Sequence, residues 1–151
     1  MNPYTLAFHD NLGMRLRGAY LSVHRRTDAH FAQFGVTSDQ FVVLSLLAEE
    51  DGITQQELAV RSYSDANTIT AMLRLLEKRG LLHRHPHATD RRARSVELTA
   101  EGRRLTEELQ KSLDAFHADL YRTLPAGQEA CVKEWLGRVV EVMGRRVPPQ
   151  G

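Results

Sequence analysis

Apolar residues fall at helical spacing in six stretches of this chain and at alternating spacing in two short ones. That order predicts a mostly helical protein with one small hairpin. Leu12, Leu16, Tyr20 and Val23 recur every three or four residues, and Phe31 and Phe34 extend the stripe, so a first helix is expected over about residues 8–34 with Gly35 as its C-cap. A second helix opens at Thr37 or Ser38, runs through Phe41, Val42, Leu44, Leu47 and Ala48, and stops before the Asp51-Gly52 turn. Ile53 begins a short link. Thr54-Gln55-Gln56-Glu57 is a capping box that opens a short third helix, with Leu58 and Ala59 facing inward and an end near Ser62.

Ser64 or Asp65 caps a fourth helix. Its apolar stripe is Ile69, Met72, Leu73 and Leu76, and Asn67, Thr68, Ala71, Arg74, Leu75 and Lys78 lie on the opposite face. Gly80 closes it. Leu81 to His85 and Arg94 to Leu98 read as paired strands, with Pro86 at the exposed end of the first. Thr99-Ala100-Glu101-Gly102 then caps one long helix whose inner face is Leu105, Leu109, Leu113, Phe116 and Leu120. Leu124-Pro125 breaks it. A last helix carries Cys131, Trp135, Leu136, Val139, Val140, Val142 and Met143, and the tail from Arg145 to Gly151 is expected to fray.

Composition narrows the class. A chain of 151 residues fits one domain, or one lobe plus an oligomerisation arm, and an apolar fraction of 42% suffices for a core. No apolar run reaches the roughly 18 residues of a membrane span. The first residues lack the basic-then-apolar order of a signal peptide. A single cysteine cannot close an intrachain disulfide, so the cytoplasm is the expected compartment. Net charge is only +1, but it is unevenly spread. From Arg74 to Arg94 seven basic side chains face two acidic ones, Glu77 and Asp90. Concentrated positive charge of this kind is the electrostatic footprint of a phosphate-binding surface.

The fourth helix and the hairpin together carry the candidate chemistry. A helix that enters the DNA major groove, about 12 Å wide, needs one face buried in its own lobe and one face of short polar and basic groups. The helix from Asp65 to Arg79 has both. Asn67 can pair with adenine, Thr68 can meet a thymine methyl or a phosphate, Ala71 allows close approach, Arg74 can fork onto guanine or grip a phosphate, and Lys78 can contact phosphate. The Thr54–Ser62 helix would cross the backbone in helix-turn-helix geometry. Arg91, Arg92 and Arg94 crowd the hairpin, an arrangement that repels itself unless a polyanion is near, and the narrow minor groove attracts inserted arginine. Asp90 is expected to hold the Arg92 guanidinium in a two-pronged contact.

In the segments ITQQELA, LEKRGLLHR and TDRRARSVELTAEG the chain resembles the MarR family of winged helix-turn-helix regulators, and the resemblance covers nearly its whole length. The last segment is similar to the family's wing signature, an Asp-x-Arg followed by an apolar-Leu-Thr-x-x-Gly close. The resemblance implies a winged helix-turn-helix lobe at about residues 36–99, with helical dimerisation regions at about 1–35 and 100–147. It assigns Arg92 to the minor groove, Asp90 to its orientation, and Ser64, Asn67, Thr68, Thr70 and Arg74 to the groove-facing part of the fourth helix. Ala71 departs from the pattern, because many relatives carry a larger polar or basic residue there.

The implied assembly is a homodimer reading a pseudo-palindromic operator in double-stranded DNA, with Leu6, Phe8, Val139, Val142 and Met143 as candidates to hold it. A ligand-responsive repressor is expected, with a small-molecule effector in a crevice for which Phe31, Phe34 and Phe41 are the candidate lining. Thiol-sensing members use a cysteine near the N-terminus, which this chain lacks, and Cys131 reads as a small buried apolar group. His83, His85 and His87 share one strand face, and with His24, His30 and His117 they leave a zinc-responsive regulator as an alternative. A non-specific architectural winged-helix protein is another. No metal site, cofactor or membrane partner is otherwise expected. No nucleophile elbow, phosphate-binding Gly loop, HExxH or paired Cys ligands point to an enzyme.

Overall fold

The computed structural model describes residues 8–144, so Leu6 and the tail from Arg145 lie outside the described residues. The chain divides into two compact units, Met1–Lys111 and Ser112–Gly151.

In the first unit, α1 (Leu12–Phe31) starts at Asn11, whose side chain accepts from the Met14 N–H, and it runs on through a 3-10 turn, Ala32–Phe34. Its inner stripe is narrower than the spacing suggests: Leu12 and Tyr20 are exposed, and the fully buried apolar residue is Phe31. A buried polar knot joins α1 to α2 (Ser38–Glu49). The Thr27 and Ser38 hydroxyls lie 2.6 Å apart, and the Ser38 N–H donates to the Asp28 carboxylate at 2.7 Å. Thr37 and Gln40 form a capping box, and α2 buries Val43, Leu44 and Leu47. Val42, expected inward, is exposed, since the inner face falls one residue later at Val43.

The link after Asp51-Gly52 is a strand. β1 (Ile53–Thr54) pairs antiparallel with β3 (Arg94–Leu98), which also pairs with β2 (Leu82–Pro86). The sheet order is β1-β3-β2, with Ile53 opposite Val96 and Leu82 opposite Leu98. Val96, Leu82 and Ile53 point into the core. The Thr54–Glu57 capping box opens α3 (Gln55–Arg61), and Asp65 caps α4 (Ala66–Lys78) through the Thr68 N–H at 2.9 Å. The stripe Ile69, Met72, Leu73 and Leu76 is buried against this core, as amphipathic spacing requires.

The wing closes onto α5 (Ala100–Ser112) by a tight clasp. The Thr99 hydroxyl donates to the Gly80 carbonyl at 2.7 Å and accepts from the Gly102 N–H at 3.0 Å, while the Thr99 N–H donates to the Leu81 carbonyl at 3.1 Å. A Cβ on Gly102 would stand 1.9 Å from the Leu81 oxygen, so only glycine fits. Gly80 itself sits at φ +73°, the left-handed turn that ends α4.

The expected long helix is two. α5 ends at Ser112, and Leu113 (φ −90°, ψ −1°, at the edge of the right-handed helical region) is the cap residue from which α6 (Asp114–Arg122) begins anew. The break coincides with the boundary between the two compact units, and no glycine or proline announces it. In the second unit α6 and α7 (Glu129–Met143) contain no buried residue. Cys131 is exposed there, correcting the expectation that it is a buried apolar group. Within this unit a cleft of about 380 Å³ is lined by Leu120, Tyr121, Leu124, Val132 and Leu136 among others. No single described helix is long and apolar enough to cross a membrane.

Candidate nucleic-acid interface

The site is built on α3, α4 and the hairpin of β2 and β3, all in the first unit. The turn between α3 and α4 holds the only non-glycine residue with positive φ among the described residues, Tyr63 at φ 56°. Left-handed backbone costs a bulky L-residue about 1–2 kcal/mol, and Tyr63 is 80% exposed. Its ring therefore projects from the turn that sets the crossing of the two helices. Nothing in the local sequence pattern marks this residue, because positive φ at a tyrosine follows from how Ser62 and Ser64 N–H groups satisfy the Leu58 and Ala59 carbonyls.

On α4, Asn67, Thr68, Ala71, Arg74 and Lys78 are exposed. Thr68 is partly committed: its hydroxyl donates to Asp65 at 2.6 Å, and that bond is the first cause holding the Asp65 carboxyl below the usual carboxylate range. Thr70 is half-buried on the shoulder of the helix, donating to the Ala66 carbonyl at 2.8 Å and accepting from Gln55 at 3.4 Å. Ser64, also half-buried, donates to the Ser62 carbonyl at 3.4 Å. Leu75 is a large apolar group on the otherwise polar face, 56% exposed.

The positive segment is sorted by its contacts. Arg84 is neutralised, its guanidinium donating to Glu77 at 2.7 and 3.0 Å while its N–H donates to the same carboxylate at 3.0 Å. Those bonds hold the Glu77 carboxyl below its ordinary range, the Arg84 side-chain hydrogen bond first among the causes. Arg79 reaches back to the Gly35 carbonyl at 2.6 Å, tying the end of α4 to the α1–α2 loop. Arg84 is thus neutralised within the charge footprint, whereas Arg79, bonded to a neutral carbonyl, keeps its charge. Arg74, Lys78, Arg91, Arg92 and Arg94 have no carboxylate within ion-pair distance among the described residues.

The hairpin tip is ordered from inside. The His87 Nδ1 accepts from the Thr89 N–H at 3.4 Å, the Asp90 N–H at 3.3 Å and lies 3.3 Å from the Thr89 hydroxyl. The Ala93 N–H donates to the Asp90 carbonyl at 3.1 Å and the His87 N–H to the Ala93 carbonyl at 3.0 Å. The Asp90 carboxylate accepts from the backbone N–H of Arg92 at 2.9 Å, not from its guanidinium. Asp90 therefore orients the tip by an Asx-type turn and leaves the Arg92 side chain unheld, which corrects the expected two-pronged contact.

The other expected groupings separate. Phe31 is fully buried with its ring 4.5 Å from that of Phe41 in a tilted pair, while Phe41 is half-buried and Phe34 is half-buried beside His30. His85 pairs with Glu97 at 3.2 Å, and His24 stacks on Tyr20. Among the described residues no three His, Cys, Asp or Glu side chains converge as metal ligands would.

A short helix, a turn, an exposed polar-cationic helix and an arginine-tipped antiparallel hairpin define a winged helix-turn-helix lobe. Residues 36–93 match the MarR family model. The transcriptional regulator HosA of Escherichia coli O157:H7 is 39% identical over 70 residues, 46% of this chain and 52% of that protein. The chain thus spans about half the length of several curated relatives it matches. Solved structures match over more of the chain. A mutant MarR from E. coli complexed with operator DNA has a TM-score of 0.78 at 26% identity, covering 85% of this chain and 93% of that one. NadR in complex with 4-hydroxyphenylacetate has a TM-score of 0.77 at 26% identity, covering 91% and 98%.

Proposed function

We propose that this chain is a sequence-specific, DNA-binding transcriptional regulator. It acts as a homodimer on a pseudo-palindromic operator and represses until a small molecule releases it. One observation carries the reading: a single compact unit presents an exposed polar-cationic helix face together with a hairpin whose three arginines lack carboxylate partners among the described residues. Asn67, Thr68, Ala71, Arg74 and Lys78 meet the major groove and its phosphates, with Ser64 and Thr70 at the edge of that surface. Arg91, Arg92 and Arg94 meet the adjacent backbone and minor groove, with Asp90 shaping the tip. The operator complex of the E. coli MarR mutant supports this use of the fold. Residues 36–99 serve as the DNA lobe, and residues 1–35 and 100–147 as the dimer region.

A second copy supplies the other half of the footprint, since one lobe covers one half-site and a two-fold pair sets half-sites about 34 Å apart. Leu136, Val140, Val142 and Met143 of α7 are exposed in the single chain and supply apolar surface for that contact. An aromatic carboxylate is the effector class favoured by the NadR complex. It would act by preferring a lobe spacing that does not fit successive grooves. Such a regulator works in the cytoplasm, where its operator is.

The test is a gel shift at fixed salt with DNA from upstream of its own gene against random duplex, with and without 4-hydroxyphenylacetate. A specific regulator binds its operator at least about 1,000-fold more tightly than random DNA. Equal affinity for both duplexes would replace this reading with a non-specific architectural role.

A further inference from the structure

The exposed face of α4 carries two unlike ridges. One holds Asn67, Arg74 and Lys78. Beside it run Thr68, Ala71 and Leu75, spaced i, i+3, i+7, so at about 100° per residue they share one edge of the helix. This second ridge is apolar. The Thr68 hydroxyl and N–H are both bound to Asp65, at 2.6 and 2.9 Å, so the methyl is the uncommitted end of that side chain. Ala71 offers a methyl, and Leu75 an isobutyl group that is more than half exposed. A single exposed leucine is ordinary on a protein surface. This one is flanked by Arg74 and Lys78, two exposed cations with no carboxylate partner among the described residues, so its surroundings suit a polyanion that is apolar at one point.

The thymine C5-methyl is the apolar group that a base pair presents in the major groove. We infer that Thr68, Ala71 and Leu75 read thymine methyl groups in the half-site, with Leu75 as the principal specificity-determining contact. The inference rests on the reading that α4 enters the major groove. From Thr68 to Leu75 the helix rises about 10 Å at 1.5 Å per residue, which spans about three base-pair steps of 3.4 Å. Two or three neighbouring A·T pairs are thus within reach of the ridge. Asn67 stands beside it with the side chain that pairs bidentately with adenine, the partner of each thymine. A cytosine in place of thymine would remove the methyl and set its amino donor against Ala71 and Leu75, whose side chains have no acceptor for it.

The experiment uses the full chain. Half-sites are enriched from a random duplex pool, and each thymine of the enriched site is replaced singly by deoxyuridine, which deletes only the methyl. Affinity is measured at fixed salt for wild type and Leu75→Ala. Losing one buried methyl should weaken wild-type binding about threefold to fivefold at two or three adjacent positions. Leu75→Ala, an exposed change whose fold circular dichroism confirms, should lose that sensitivity at one of them and keep it at the others. Wild type that binds its site but tolerates uracil throughout, or an enriched half-site without thymine, overturns the inference and leaves the DNA-binding reading standing. A Leu75→Ala uracil profile identical to wild type also overturns it. A pool that shows no enrichment removes the DNA-binding reading beneath it.

Discussion

Arg92 and His87 sit five residues apart in one hairpin and do opposite work. The ring of His87 is turned inward as an acceptor for two backbone N–H groups, whereas the Arg92 guanidinium has no carboxylate partner among the described residues and faces water. Removing an uncommitted exposed group leaves the fold alone. Arg92→Ala should therefore weaken operator binding by about 1–3 kcal/mol with an unchanged melting temperature, read by gel shift and thermal unfolding. His87→Ala should act differently. It deletes the acceptor at the tip, so the N–H groups of Thr89 and Asp90 turn to solvent and the loop gains conformers. Operator affinity should fall although no group that touches DNA is lost, and amide hydrogen exchange at residues 88–92 should rise. Unchanged exchange there would show that Asp90 alone holds the turn.

At the scale of elements, α4 and β2 are held by the Glu77–Arg84 contact, and the wing is held to α5 by the close approach of Gly102 to Leu81. The carboxyl of Glu77 is held below its ordinary range in the folded chain, chiefly by the Arg84 hydrogen bond. A depressed folded value means that the contact stabilises the fold at any pH above the ordinary carboxylate value of about 4.3. That stabilisation is lost as pH falls through the lower folded value. Glu77→Gln should lower stability by about 1–2 kcal/mol at neutral pH. The gap from wild type should close in acid, measured by urea unfolding at pH 7 and pH 3. Gly102→Ala should destabilise by about 1–3 kcal/mol, because its methyl must displace the Leu81 carbonyl backbone. Wild-type stability of that variant would mean that the clasp yields freely.

For the whole molecule, the two compact units are unequally self-sufficient. The first has a core of fully buried Phe31, Leu44, Leu47, Leu58, Ile69, Leu73, Leu76, Leu82, Val96 and Leu109. In the second, α6 and α7 bury no residue, and Val142 and Met143 are 60% and 78% exposed. Such surface is suited to cover by a second copy. Replacing both Val142 and Met143 by Glu should shift the sedimentation mass from dimer to monomer. Operator affinity should then fall by at least about tenfold, since only one half-site is engaged at a time. A monomeric wild type at micromolar concentration would place the apolar face outside any self-contact.

What the chain order alone determined was local. The capping box at Thr54, the α4 stripe and the β3 span depend on residues within about four positions of one another, and sequence spacing expresses them directly, whereas it left Thr37 or Ser38 and Ser64 or Asp65 open as caps, which the structure assigns to Thr37 and Asp65. The tertiary structure decided whatever depends on distant partners. Ile53 becomes a strand because Val96, far along the chain, lies opposite. Arg84 is neutralised within the positive segment because Glu77 lies across from it, and Arg79 is tied to the Gly35 carbonyl. Phe31 packs against Phe41, Leu113 interrupts a helix that its spacing would continue, and Cys131 is left exposed. The physical reason is that helix starts and amphipathic faces are near-neighbour effects, whereas charge neutralisation, strand pairing and burial are set by which distant residues the packed chain brings into contact.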